Sequence, residues 1–116
     1  MPKKILIVED YDDARSFMKF LVESYGYEVI EASDGIEAFD KFKEFHPDLI
    51  LMDISLPQVD GLTTTRTIRE FEDAGRVPII AVTAFSGLYY KQAIEAGCND
   101  LIGKPVDFEI LAPVIH

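Results

Sequence analysis

The chain has 116 residues, of which 48% are hydrophobic, and its formal net charge is −10. This length suffices for one domain with a hydrophobic core and leaves little room for a second. The negative charge would repel nucleic acids and anionic membrane surfaces, so we expect neither of them as a direct partner.

The ends of the chain and its cysteine content predict an intracellular protein. Only four apolar residues separate Lys4 from Glu9, which is too short for a secretion signal, and no later apolar run could span a membrane. Cys98 is the single cysteine and has no second cysteine with which to form a disulfide. We therefore expect a cytoplasmic protein in which Cys98 is a small packing residue.

Apolar runs along the chain predict strands that are buried on both faces of a sheet. A strand that begins at Tyr27 is also predicted, because it contains the β-branched pair Val29 and Ile30. In chain order, the five predicted strands cover residues 5–8, 27–32, 49–52, 79–82 and 100–103.

Helical patterns lie between these strands. Apolar residues at helical spacing between Ala14 and Tyr25 predict a first helix, which is opened by Asp12 and Asp13 and ended by Gly26. Further helices are expected from Asp34 to Pro47, over residues 60–74 and 89–96, and from about Asp107. Such alternation of strand and helix predicts a doubly wound α/β fold with helices on both faces of a parallel sheet.

Polar residues follow the predicted strands at their carboxyl ends. Strand one is followed by Glu9 and Asp10, strand three by Asp53, strand four by Thr83 and strand five by Lys104. In open α/β sheets these ends meet at one crevice, where ligands bind. We therefore expect three carboxylates, a hydroxyl and an ammonium group to share one site.

This set of side chains suits a metal ion and a phosphoryl group. Carboxylates that are crowded together repel one another unless a cation joins them, and Mg²⁺ prefers such oxygen ligands. Asp53 could then attack phosphorus to form an aspartyl phosphate, while Thr83 and Lys104 contact the phosphoryl oxygens. The alternative for Glu9 and Asp10 is that they only favour the start of the first helix.

The ordered set of residues resembles the receiver domains of two-component response regulators, in particular the single-domain chemotaxis regulators. The resemblance extends over essentially the whole chain, residues 1–116, as a single domain without an output domain. It implies a flavodoxin-like (βα)₅ fold with strand order 2-1-3-4-5. It also implies that Asp53 is the phosphoacceptor and that Glu9, Asp10, Asp53 and the backbone carbonyl of Ser55 hold Mg²⁺, or Mn²⁺ in its place.

The same resemblance implies partners and a switch. A sensor histidine kinase or a histidine phosphotransfer protein would supply the phosphoryl group, and a downstream protein would bind the changed surface. Thr83 matches the switch hydroxyl, Ala84 the small residue after it, and Pro105 the proline after the lysine. Leu101 stands where the family usually has Tyr or Phe, so the usual aromatic coupling is not expected. Phe85 is placed to obstruct hydrolytic water, which predicts slow self-dephosphorylation.

The leading hypothesis is a phosphoacceptor, which is not an enzyme in the ordinary sense. Two other functions are alternatives to it. A phosphohydrolase could also use an aspartyl nucleophile, but it would need a second acid two residues later, where Ser55 stands. A degenerate receiver would act only in protein binding or dimerisation. Turnover of a phosphomonoester distinguishes the first alternative, and failure to acquire phosphate distinguishes the second.

Overall fold

The computed structural model describes residues 3–54, 60–71, 76–84 and 86–104, together with residues 106, 109 and 113. Five strands alternate with four helices in these ranges. Their bounds, in chain order, are β1 Lys4–Val8, α1 Asp12–Ser24, β2 Glu28–Ala32, α2 Gly35–Phe45, β3 Leu49–Asp53, α3 Gly61–Phe71, β4 Ile79–Thr83, α4 Ser86–Ala96 and β5 Asp100–Gly103.

The five strands form one parallel sheet in the order β2-β1-β3-β4-β5. This confirms the predicted fold class and strand order. Because β1 and β3 are neighbours although β2 lies between them in the sequence, the strand order reverses there. The carboxyl ends of β1 and β3 therefore border the crevice where such sheets bind ligands.

Alternate residues of each central strand enter two different hydrophobic clusters. In β1, Leu6 and Val8 pack with residues of α2, α3 and α4, whereas Ile5 and Ile7 pack with residues of α1. All four side chains are at most 2% exposed. Helices thus cover both faces of the sheet, which explains why these strands consist of continuous apolar runs.

Local side-chain chemistry fixes the ends of two helices. Asp34 accepts a hydrogen bond from the Glu37 amide at 2.8 Å and caps α2, as its position in the sequence predicts. Asp60 accepts a bond of the same length from the Thr63 amide at the start of α3. His46 ends α2 in the left-handed region, with φ of 49°, and is exposed, in agreement with a surface position.

One predicted helix boundary is wrong, and one predicted helix falls mainly outside the described residues. The fourth helix begins at Ser86, three residues before the predicted start at Tyr89. Its first turn contains Gly87 and exposed side chains, so no apolar periodicity marks it. Of the final predicted helix, which was expected from Asp107 through Pro113, only Glu109 and Pro113 are described.

Candidate functional site

The polar residues predicted to share a site do come together at the carboxyl edge of the sheet. Asp53 and Thr83 are the last residues of β3 and β4, and Glu9 and Lys104 directly follow β1 and β5. These four strands are consecutive neighbours in the sheet. A buried acidic crevice, defined by Glu9, Asp53, Thr83 and Lys104, therefore forms at their ends.

An ammonium group lies between two buried carboxylates in this crevice. The Nζ atom of Lys104 is 2.7 Å from Glu9 Oε1 and 3.2 Å from Asp53 Oδ2. Glu9 and Asp53 are 1% and 2% exposed, and the side chain of Lys104 is 29% exposed. Since two anions share a single cation, the group carries an excess of negative charge away from water.

Burial and the neighbouring carboxylate alter the ionisation of Glu9. The pKa of Glu9 is raised from 4.5 to about 7, mainly by burial and also by the contact with Asp53, while Lys104 opposes the rise. Burial lowers the pKa of Lys104, but its contacts with Glu9 and Asp53 outweigh this and leave the pKa raised. Lys104 therefore stays positively charged at neutral pH, whereas Glu9 gains or loses its proton close to neutral pH.

The carboxylates of the crevice fit a divalent cation. Asp10 is exposed at the rim, and one carboxylate oxygen from each of Glu9, Asp10 and Asp53 lies within 4.8 Å of the others. Glu9 Oε1 is buried, and Lys104 Nζ lies 2.7 Å from it in an ion pair. Because one ammonium group faces two buried carboxylates, a hard cation that takes oxygen ligands would offset the remaining negative charge.

Backbone contacts hold the side chains of the crevice in place. The Lys104 amide donates to the Thr83 carbonyl at 2.9 Å, and the Ile54 amide donates to the Val82 carbonyl at 3.3 Å. Thr83 itself is 1% exposed. A Cβ atom on Gly61 would overlap the Asp53 carbonyl oxygen and lie 2.6 Å from Ile54 Cα, so the start of α3 packs directly on the backbone of Asp53 and Ile54.

Arg15 is a residue of the site region that sequence reasoning missed. Its guanidinium donates to the Glu9 carbonyl at 2.9 Å, to Asp12 Oδ1 at 2.7 Å and to Glu31 Oε1 at 3.3 Å. It thereby ties the backbone of the Glu9–Asp10 turn to α1 and β2. The sequence signal was the Asp12 and Arg15 pair, three residues apart on one helix, which indicates an ion pair but not the contact with Glu9.

The remaining predicted site residues lie at different places. Ser55, Phe85 and Pro105 lie outside the described residues. Ala84 is exposed beside the crevice. Leu101 is partly buried and packs against the hydrophobic cluster that includes Cys98, which supports the packing role predicted for that cysteine.

The exposed apolar side chains after Thr83 are part of α4. Leu88 is 69% exposed and Tyr90 is 54% exposed, so neither covers the core face of that helix. The core face is instead formed by Ala93 and Ala96, which are small and buried. Leu88 and Tyr90 therefore belong to an exposed apolar patch on α4.

The fold and the crevice together define an α/β domain with an acidic, metal-compatible site at the point where the strand order reverses. The family profile described as the response regulator receiver domain matches residues 5–116. The chain belongs to this family, and the resemblance drawn from its motifs is confirmed. Within the described residues, no helix combines the length and apolar character that a membrane span requires.

Similar proteins cover nearly the whole chain. The polar-differentiation response regulator DivK of Brucella ovis is 43% identical over 107 residues, which span 91% of this chain and 87% of that protein. The receiver domain of a sensor histidine kinase from Pseudomonas aeruginosa is 36% identical, with a TM-score of 0.90 and coverage of 99% and 95%. Its crystal structure has a magnesium ion coordinated in the active-site cleft.

A further structural neighbour was crystallised with a partner protein. The receiver domain of a Saccharomyces cerevisiae response regulator is 30% identical, with a TM-score of 0.90, over 98% of this chain and 86% of that chain. That domain was solved in complex with a histidine phosphotransfer signalling protein. The class of partner that such domains bind thus agrees with the class expected from the sequence.

Proposed function

We propose that this receiver domain is a phosphoacceptor switch, which takes a phosphoryl group from a phosphohistidine onto Asp53 in a Mg²⁺-dependent reaction. The observation that supports this most directly is the position of Lys104 Nζ, 3.2 Å from the buried carboxylate of Asp53. Phosphoryl transfer depends mainly on positioning and charge neutralisation, and a fixed cation beside the attacking oxygen supplies both.

Each residue of the crevice has a role in this proposal. An Asp53 oxygen forms a bond to phosphorus while the bond from phosphorus to the histidine nitrogen breaks, and the imidazole leaves with the electron pair. Lys104 neutralises charge on the phosphoryl oxygens, and the Thr83 hydroxyl donates to one of them. Glu9, Asp10 and Asp53 would hold Mg²⁺ together with the Ser55 carbonyl, which lies outside the described residues. The metal would supply further charge neutralisation.

The proposal also concerns partners and location. A sensor histidine kinase or a histidine phosphotransfer protein is the donor, and a downstream protein binds the phosphorylated form. The net charge of −10 favours donors and targets with basic or neutral docking surfaces. The cytoplasm, where a lone thiol such as Cys98 stays reduced, is the proposed compartment.

The intact mass of the protein after incubation with Mg²⁺ and acetyl phosphate tests this function. We expect the gain of one phosphoryl group, which is lost in Asp53→Asn and in the presence of a chelator. Asp40→Asn provides the matched control, because Asp40 is an exposed aspartate on α2 and should leave the gain unchanged. If neither acetyl phosphate nor a phosphorylated histidine kinase adds a phosphoryl group, the binding-only alternative is supported instead.

The same preparation tests the enzyme alternative. Self-dephosphorylation returns Asp53 to its free form, so a phosphoacceptor switch should release phosphate from p-nitrophenyl phosphate only at the slow rate at which its own aspartyl phosphate is hydrolysed. Rapid multiple-turnover hydrolysis of p-nitrophenyl phosphate that disappears in Asp53→Asn would contradict the proposal and indicate a phosphohydrolase.

A further inference from the structure

A groove between α2 and α3 exposes apolar side chains that the acidic crevice does not use. It contains a cavity of about 190 Å³, whose described lining includes Ile36, Phe39 and Thr67. The larger cavity, of about 470 Å³, lies between α1 and the end of β5 and opens beside the crevice, so it belongs to the site described above. Helices α2 and α3 cover the other face of the sheet from α1. The groove is therefore a separate surface.

The apolar side chains of the groove form one continuous patch. Phe39 lines the cavity beside Ile36, and the centroids of the Phe39 and Phe71 rings are 5.6 Å apart in an edge-to-face contact. Phe71 makes a second contact of this kind with Phe42, at 6.0 Å. Nevertheless, Phe71 is 58% exposed and Ile36 is 53% exposed. We call Ile36, Phe39 and Phe71 the α2–α3 patch.

Exposed aromatic side chains that are held in place are typical of protein interfaces. Aromatic residues are enriched in interfaces, where rigid rings bury much apolar area at a low cost in side-chain entropy. The two ring contacts fix Phe71 before any partner binds, which lowers that cost further. Contiguous apolar surface on a soluble domain commonly marks an interaction site. The α2–α3 patch therefore has the composition of a surface that another protein covers.

The net charge of this face favours a second copy of the chain as that protein. Helices α2 and α3 together carry four acidic and four basic residues, whereas the whole chain has a net charge of −10. Two copies repel each other wherever acidic surfaces meet, and this repulsion is weakest across a neutral face. Copies of this chain can therefore approach one another through α2 and α3 at little electrostatic cost.

Charged side chains of both signs also lie at the edge of the patch. Lys43 Nζ is 4.5 Å from the centroid of the Phe39 ring, and Glu70 directly precedes Phe71 and is exposed. In a dimer with a twofold axis, the same surface of each copy forms the interface, so a contact between Lys43 of one copy and Glu70 of the other occurs twice. The patch is thus complementary to itself in charge as well as in polarity.

We propose that the α2–α3 patch binds the same patch of a second copy, in a dimer with twofold symmetry. Ile36 and Phe71 are its apolar anchors, and Lys43 pairs with Glu70 across the interface. Three large apolar side chains make a small interface, which places the dimer in the weak, reversible class that buries less than about 1,200 Å². The inference goes beyond the function proposed above and does not depend on it, because the patch contains no residue of the acidic crevice.

Analytical ultracentrifugation of the full chain, without a phosphodonor, tests this dimer. We expect a monomer–dimer equilibrium at protein concentrations up to about 1 mM. Phe71→Ser and Ile36→Ser should each raise the dissociation constant at least tenfold, because each change removes an apolar contact from both halves of a twofold interface. Ile36→Ser leaves the contacts among the phenylalanine rings intact, so it decides the question if Phe71→Ser fails to fold.

Two exposed apolar side chains on other helices provide matched controls. Leu88 on α4 is 69% exposed, and Phe20 on α1 is 63% exposed. Leu88→Ser and Phe20→Ser should therefore keep the dissociation constant within about twofold of the wild-type value. A larger effect of either control than of the two patch variants would place the interface on another helix and overturn the proposal.

A charge exchange tests whether the occupant of the patch is a second copy. Lys43→Glu should raise the dissociation constant about fivefold, because it sets like charges against each other on both sides of the twofold axis. The addition of Glu70→Lys restores opposite charges, and it should return the dissociation constant to within about twofold of the wild-type value. Failure of this rescue, or a chain that stays monomeric at about 1 mM, would overturn the proposal and leave the patch for a different protein.

Discussion

Two ionic clusters lie close together in this domain and differ in composition and exposure. The buried cluster joins Lys104 to Glu9 and Asp53, so that one cation faces two anions. The surface cluster joins Arg15 and Lys19 to Glu31, and Arg15 also to Asp12, so that two cations face two anions.

The two clusters differ in charge balance and in burial, and these differences distinguish the candidate site from the contacts that support it. In the surface cluster, charges are matched and the carboxylates are open to water, with side-chain exposures of 85% for Asp12 and 36% for Glu31, so each pair contributes little to stability. In the buried cluster, negative charge is in excess where water cannot screen it, and the pKa of Glu9 is raised to about 7. A bound cation or a phosphoryl group therefore changes the energy of the buried cluster far more than that of the surface cluster.

Removal of the buried cation should have the largest effect. In Lys104→Met, two buried carboxylates lose their shared partner, and we expect the free energy of unfolding to fall by about 3 kcal/mol at pH 8 in a chelator. Mg²⁺ should restore part of this loss. Urea denaturation measures both values, with Lys91→Met on the exposed face of α4 as the control. A loss no larger than that of Lys91→Met would contradict the energetic role given to Lys104.

The raised pKa of Glu9 predicts a pH dependence of stability. A carboxyl group whose pKa is higher in the folded than in the unfolded protein binds more protons when folded, so stability falls as the pH rises. The pKa of Glu9 rises from 4.5 to about 7, so this fall should occur between these two values. In metal-free buffer, we expect a decrease of about 2 kcal/mol in the free energy of unfolding.

Glu9→Gln isolates this contribution, because glutamine has the same shape and does not titrate. The variant should be more stable than the wild type at pH 8 and should lack most of the decrease. Glu23→Gln, on the exposed side of α1, should retain it. Parallel stability curves for the wild type and Glu9→Gln would show that another group is responsible.

The members of the buried cluster could be predicted from sequence because the topology leaves them few other positions. Asp53 and Thr83 end apolar runs that can only be central strands, and a parallel sheet brings the ends of such strands to one edge. The alternation of strands and helices restricted the topology to a few options, and the strand order was implied by the resemblance to receiver domains. For Lys104, the proximity to Asp53 was predictable, whereas its distances to two carboxylates depend on side-chain conformations.

The features that sequence reasoning missed depend on how separate elements are placed against one another. The bond from Arg15 to the Glu9 carbonyl requires a particular turn between β1 and α1, and the Asp12 and Arg15 spacing does not specify that turn. The cavity between α1 and the end of β5 is likewise determined by side chains from several elements. In α4, the early start was hidden because only Ala93 and Ala96 give that helix a buried face.

A comparison of Arg15 with Lys19 separates the part of the surface cluster that supports the site from the part that does not. Both side chains pair with Glu31, but only Arg15 also binds the Glu9 carbonyl. Residues that orient metal ligands commonly change metal affinity tenfold or more when they are removed. We therefore expect Arg15→Ala to weaken Mg²⁺ binding about tenfold and Lys19→Ala to change it less than about twofold.

Calorimetric titration with Mg²⁺ measures the effect on affinity independently of phosphorylation. Arg15→Lys should not restore the wild-type affinity, because an ammonium group cannot reach the Glu9 carbonyl, Asp12 and Glu31 with the fixed geometry of a guanidinium. Equal weakening in Arg15→Ala and Lys19→Ala would show that the whole surface cluster acts through its charge. Weakening in Arg15→Ala alone would show that the hydrogen bond to the Glu9 backbone positions the acidic turn, because both variants remove one positive charge.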